Sequence, residues 1–216
     1  MRRQRGLTLI SLLIGMLLSS LCILAMLGLY RNLVHTAVVA TQDANQDGQI
    51  AAGLLTAQLK LQSAGFGMES GINLDDPGIT VGGSTQRALL WRYQDSLGYQ
   101  CRGLTDRPGT DSASGKALRI LSLLQADDCT ANASLGGLQW KVRQDLARQV
   151  VPEHHPAAQP LTGFLITPSV ECTPFGFGEA ARHPQVTLSA HNSVRLAGND
   201  EIDLLSYRIC LSNIAE

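Results

Sequence analysis

The side chains able to do chemistry in this 216-residue sequence include five cysteines, five histidines and 18 acidic residues. Asp43-Ala44-Asn45-Gln46-Asp47-Gly48-Gln49-Ile50 copies the first eight positions of an EF-hand calcium loop. Calcium there needs oxygens from Asp43, Asn45 and Asp47 and a bidentate acid at the twelfth position, which is Leu54. Without that ligand the segment reads as a polar patch on a helix, with Gly48 the place for it to break. His35, His154, His155, His183 and His191 have no ligand spacing beyond one adjacent pair, and adjacent side chains on a strand point to opposite faces. No metal and no cofactor are expected. The acidic pairs Asp75-Asp76, Asp127-Asp128 and Asp200-Glu201 each sit beside Gly, Asn or another polar residue. They read as solvated turns, not as the paired carboxylates of a hydrolase. Gly176-Phe177-Gly178 is not a nucleotide loop, and neither a phosphate-binding P-loop nor a G-x-S-x-G elbow occurs. The sequence therefore gives no reason to expect an enzyme.

The element that dominates the chain is apolar. Leu7 to Leu29 contains no charged residue, and as a helix it reaches about 35 Å, enough for a hydrocarbon core of about 30 Å. Arg2, Arg3 and Arg5 precede it, so the head end stays in the cytoplasm and everything after Tyr30 lies outside. The run is too long for the core of a secretory signal, and Ser19-Ser20-Leu21-Cys22 is a poor cleavage site inside it. A plain membrane anchor fits the length. Cys22 belongs to this run and reads as a small packing residue. Cys101, Cys129, Cys172 and Cys210 fall in the exported part, where an even number implies two disulfides. Three connectivities exist, and proximity in sequence favours Cys101–Cys129 and Cys172–Cys210.

The order of features distinguishes a third reading. Gly6 stands at the junction between the basic head and the apolar run, followed by Leu7-Thr8-Leu9-Ile10 and Leu12-Leu13. This resembles the class III signal of type IV pilins and type II secretion pseudopilins. The resemblance implies cleavage by a prepilin peptidase between Gly6 and Leu7, N-methylation of Leu7, and an apolar helix retained on the mature protein. Glu is usual at the fifth mature position of that family, and here the residue is Ser11. A buried carboxylate is costly in lipid and is thought to be offset by a neighbouring subunit's N-terminus. Ser11 has no charge to offer and can bond back to a carbonyl one turn earlier. Some minor subunits of that family lack the Glu and are placed at the filament tip, where no subunit lies above them, so the resemblance is compatible with Ser11.

Beyond the run the helical pattern continues. Leu33, Val34, Ala37, Val38 and Thr41, then Ile50, Leu54, Ala57, Leu61 and Ala64, fall at three- and four-residue steps. Gly65 is the expected stop, and Gly15, Gly28, Gly48 and Gly53 are the expected places to bend or loosen. Gln58-Leu59-Lys60-Leu61-Gln62-Ser63-Ala64-Gly65-Phe66-Gly67 resembles the helix end of PilW-type minor pilins, with the glycines turning the backbone and Phe66 packing back on the helix. From Met68 onward, short runs punctuated by Gly, Pro, Asp, Asn and Ser predict hairpins and loops. The candidate strands are Ala88–Tyr93, Leu118–Leu123, Leu138–Arg143, Gly163–Thr167, Gln185–Ser189 and Ile202–Leu211, the third half-buried and the last fit for a central position. Thr105–Gly115 and Val151–Pro160 read as loops. Arg92-Tyr93-Gln94 followed by Cys101-Arg102-Gly103 is similar to PilW-type heads, in which a strand ending in Tyr precedes a Cys-Xaa-Gly turn.

Once the leader is removed, 14 basic residues face 18 acidic ones, with no basic run among them. Bulk attraction to nucleic acid is not supported. About 180 residues outside the apolar run suit one domain. The expected class is α+β, and the resemblance implies a pilin fold: leader 1–6, membrane and filament-core helix 7–34, amphipathic continuation 35–66, β-rich head 67–216. It further implies a minor pilin held in the bacterial inner membrane with its head in the periplasm, then drawn by the assembly platform into a type IV pilus. Its partners would be other minor pilins and the major pilin. A pseudopilin of a type II secretion tip complex, or a tip-displayed adhesin or DNA-binding module facing a host surface or DNA, are the alternatives.

Overall fold

Helix-forming residues at three- and four-residue spacing run into β-branched and aromatic residues interrupted by turn formers, and the architecture follows that division. The computed structural model describes residues 9–69, 72–152, 155–156, 158–174, 180–193 and 204–214. Two compact units divide it, Met1–Ala44 and Asn45–Glu216. The helix α1 spans Leu9–Leu61 and is unbroken at Gly15, Gly28, Gly48 and Gly53. The break expected at Gly48 is thus absent: two of its neighbours, Gln46 and Gln49, favour helix, and a lone glycine costs only about 1 kcal/mol there.

Among the described residues of the second unit nine strands follow, all antiparallel. β1 (Leu74–Asp75), β2 (Gly78–Val81), β3 (Ser84–Asp95), β4 (Gly98–Thr110), β5 (Ala117–Ala126) and β6 (Trp140–Val150) make one sheet in the order β1-β3-β4-β5-β6, with β2 also against β3. β7 (Thr162–Cys172), β8 (Ala181–Ala190) and β9 (Leu205–Cys210) make a second sheet in that order. The class is α+β, a helix packed on antiparallel sheets.

One buried cluster joins the helix to both sheets. Ile50, Leu54, Ala57 and Leu61 meet Leu89, Trp91, Leu104, Leu121 and Leu123 of the first sheet and Phe164, Val186, Leu188 and Ile209 of the second. Gly53 fits this packing because a Cβ there would stand 2.9 Å from Ala147 Cβ. Alternate residues of β3 face the other way: Ala88 and Leu90 join Ile79, Val81, Cys101, Leu124 and Trp140 in a second cluster. Buried Asp106 ties the sheets together. It accepts from Arg119 Nε at 2.8 Å and from the Leu161 and Thr162 amides of the second sheet's first strand and its lead-in, each at 2.7 Å. Burial pushes the Asp106 carboxyl above its ordinary value, while the Arg119 charge and the two amides pull it back part of the way.

Several expectations change. The Thr105–Gly115 loop is shorter, because Thr105–Thr110 extends β4 and the turn occupies the following residues, where the Asp111 carboxylate accepts from the Ala113 and Ser114 amides. Cys101-Arg102-Gly103 is likewise strand, paired with Arg92, Trp91 and Leu90, not a turn. Its glycine is needed for packing, since a Cβ on Gly103 would lie 2.6 Å from Leu90 Cδ2. The third predicted strand starts at Trp140 and runs to Val150, and Val142 is exposed. β9 lies at the edge of its sheet, not in the centre. Ile202 and Asp203 lie outside the described residues.

The helix ends at Leu61, and tight turns follow through Gly67. Gly65 (φ 77°) and Gly67 (φ 68°) adopt the left-handed conformation that favours glycine. Gly65 N donates to Arg92 O at 2.8 Å and Phe66 O accepts from Gln94 N at 2.8 Å, so this strap lies along β3. Phe66 is 55 % exposed and does not pack back on the helix, because its flanking glycines turn the backbone onto β3 instead. Asn213 Nδ2 donates to Gln62 O at 2.8 Å, closing one of the carbonyls left over just past the helix end.

Candidate functional site

The part of α1 inside the first unit, residues 9–44, has every described side chain exposed. Leu, Ile, Met and Val dominate it, and the first charged side chain after Leu9 is Arg31. The helix is long and apolar enough to cross a membrane. Three of its hydroxyls bond back within the helix. Ser20 Oγ donates to Met16 O at 3.0 Å and Leu17 O at 2.9 Å, Thr36 Oγ1 to Asn32 O at 2.9 Å, and Thr41 Oγ1 to Ala37 O at 2.7 Å. A helix that turns hydroxyls back onto its own backbone and exposes an uncharged, mostly apolar run from Leu9 to Tyr30 is built for a surrounding of lipid or of other apolar helices. Ser11 is exposed in the first described turn, and Cys22 is a free, exposed thiol in the same run. Gly6 and Leu7, with Arg2, Arg3 and Arg5, lie outside the described residues.

The head is locked by covalent and polar ties. Cys101 bonds Cys129 and Cys172 bonds Cys210, the pairing that sequence proximity favours. The first pins the loop after β5 to β4. The second joins β7 to β9, the two outer strands of their sheet. Buried Arg92 holds the same loop from within: Nη1 donates to Thr130 O at 2.5 Å and Ala133 O at 3.2 Å, and Nη2 donates to Ile72 O at 2.7 Å. Burial pulls its guanidinium below its ordinary value, with Tyr99 acting weakly the other way. Asp145 gathers Arg107 Nη2 at 2.7 Å, Ser122 Oγ at 3.0 Å and Arg148 Nη2 at 3.1 Å. Burial works to raise the Asp145 carboxyl, but these three donors together outweigh it and hold the group below its ordinary value.

The residues singled out for chemistry do not converge. Within a continuous helix Asp43 and Asp47 share a face one turn apart while Asn45 lies on the opposite one, so the three cannot enclose an ion. Asp47 is engaged elsewhere: its carboxylate accepts from Ser193 N and Ser193 Oγ, both at 2.7 Å. His155 and His191 stand edge to face with ring centroids 5.6 Å apart, a proximity the sequence did not signal. His154, Gly176-Phe177-Gly178 and Asp200-Glu201 lie outside the described residues. Among the described residues no three His, Cys, Asp or Glu side chains could hold a metal ion. Asp76 pairs with Arg87, and Asp127 with Lys141 at 2.5 Å, as surface carboxylates do.

Residues 1–27 match the family model described as the prokaryotic N-terminal methylation motif. Those residues include Gly6, Leu7 and Ser11, and they support a type IV pilin- or pseudopilin-like protein. No curated protein and no solved structure matches the chain.

Proposed function

We propose that this chain is a minor pilin of the PilW type, a structural subunit and not an enzyme. The observation that carries the reading is the methylation motif on residues 1–27, continued by a helix whose apolar side chains are exposed through Val39 and which has no acidic residue before Asp43. A prepilin peptidase cuts between Gly6 and Leu7, and Leu7 is methylated. Residues 7–34 anchor the precursor in the inner membrane with the head, 67–216, in the periplasm, and 35–66 carry the helix onto that head. The assembly platform then draws the subunit into a pilus, where the apolar helix exchanges lipid for the helices of other minor pilins and the major pilin.

Ser11 sets the position. A subunit within the shaft must neutralise a neighbour's N-terminal amine in an apolar surrounding, where an uncompensated charge is costly. A hydroxyl cannot do so, and a subunit with nothing above it has no such need. The subunit therefore primes assembly and stays at or near the tip in low copy number. Immunogold labelling of sheared filaments tests this. Label at filament ends supports the reading; label spread along the shaft at the density of the major subunit contradicts it. A pseudopilin at the tip of a type II secretion system shares the Ser11 argument. Loss of piliation on deletion favours the pilus, and loss of enzyme export favours the secretion system.

A further inference from the structure

The first sheet is split between β3 and β4. These strands pair from Asp95–Gly98 to Ala88–Thr105 and no further. Beyond that point Ser84–Arg87 keep β2 on one side, and Asp106–Thr110 keep β5 on one side. Among the described residues no strand pairs with the two edges that face each other, and on the β4 side Asp106 O accepts from Arg119 Nη2 at 2.6 Å. The groove between them encloses about 480 Å3.

The open edge of β3 can be read atom by atom. Arg87 O accepts from Thr105 Oγ1 at 3.0 Å, so it points into the split. The next amide, Ala88 N, donates the other way, to Pro77 O at 3.0 Å. Peptide groups alternate along a strand, so the Thr85 N–H and C=O and the Arg87 N–H also face the groove. Gln86 lines it as well, and its carboxamide nitrogen and oxygen are both buried with no hydrogen-bond partner among the described residues. Buried Asp106 and Arg119 contribute to the lining, closed on each other at 2.8 Å. Pro108, Pro160 and Phe164 supply apolar wall.

We infer that this groove receives an extended, uncharged peptide segment of a partner polypeptide, added as a strand beside Ser84–Arg87. Alternating donors and acceptors on an open strand edge are matched by another backbone. The Gln86 carboxamide offers one donor and one acceptor, the complement of a peptide bond. Since Asp106 is closed on Arg119 and Arg87 pairs with Asp76, a charged ligand finds no unpaired opposite charge in the lining. A sugar or an acyl chain would leave the alternating edge unmatched. The inference stands apart from the filament reading and survives its failure.

The test uses the full chain in detergent micelles and an acetylated, amidated pentapeptide of alternating threonine and valine. Binding slows amide exchange of Thr85 and Arg87 by about tenfold or more. The same peptide N-methylated at alternate amides gives no slowing, because strand addition needs those donors. Thr85→Pro removes a donor that faces the groove, and it weakens binding by about tenfold with the near-UV circular dichroism unchanged. Exchange at Thr85 and Arg87 unaffected by the peptide, or slowed equally by the N-methylated one, overturns the inference. If Thr85→Pro does not fold, the N-methylated comparison decides alone.

Discussion

Gly65→Ala is the substitution whose effect the geometry specifies most fully. At φ 77° an L residue is strained by about 1–2 kcal/mol. The new Cβ would also stand 2.5 Å from Ile214 Cγ1 and 2.7 Å from Asn213 O. The second contact is backbone, so the C-terminal segment must move. That movement endangers the Asn213–Gln62 bond, worth about 1 kcal/mol net, and overpacks the site by about 1–3 kcal/mol. The sum is about 3–6 kcal/mol. Gly82→Ala is the control: its φ is 62°, and nothing lies within 4 Å of an added Cβ. That variant carries backbone strain alone, about 1–2 kcal/mol. Denaturant unfolding of the full chain in micelles, followed by the fluorescence of Trp91 and Trp140, reads both. Ile214→Ala placed in the Gly65→Ala background should recover part of the loss by removing one clashing atom. Equal losses for the two glycine variants, or no recovery, would refute the reasoning.

Arg92→Met leaves three backbone carbonyls without their donor and should cost about 2–4 kcal/mol, with faster amide exchange in residues 130–135. Asp145 is depressed in the fold, so its contribution is present above the ordinary carboxylate value of 3.8 and is lost as pH falls through the lowered one. The stability gap between wild type and Asp145→Asn should therefore narrow on acidification below that range, as thermal melts across pH will show. The two disulfides close 28- and 38-residue separations, and replacing either pair by alanine should cost about 3–4 kcal/mol, read from denaturant midpoints against the oxidised protein.

Much of the fold is legible in the sequence where one rule dominates. Ile50, Leu54, Ala57, Leu61 and Ala64 follow helical spacing, and all are essentially buried. β4 was not legible, and no candidate strand covers Gly98–Thr110, because Gly103, Pro108 and Gly109 read as turn formers. In the fold those glycines admit close packing: a Cβ on Gly109 would meet Ile120 Cδ1 at 2.6 Å. The length of β6 was hidden by two register shifts. Leu121 pairs with Ala147 and Ser122 with Asp145, then Leu123 with Gln144 and Leu124 with Val142, so Leu146 and Arg143 are skipped. Alternation breaks at each bulge, and with it the period that sequence reading relies on. The polar ties, Asp47 to Ser193 and Asp106 to Leu161 and Thr162, join residues more than 50 positions apart and carry no local signature. The N-terminal motif lies at the other extreme, since a basic head, Gly6 and an apolar run are contiguous.

The central claim concerns that motif, and the mass and N-terminal sequence of the mature protein from its native host test it most directly. The account predicts a chain that begins at Leu7 with a methylated amino group and keeps the whole apolar helix, and a Gly6→Val variant that accumulates as unprocessed precursor in the inner membrane. A mature chain that retains Met1, or that begins after Ser20, would contradict it.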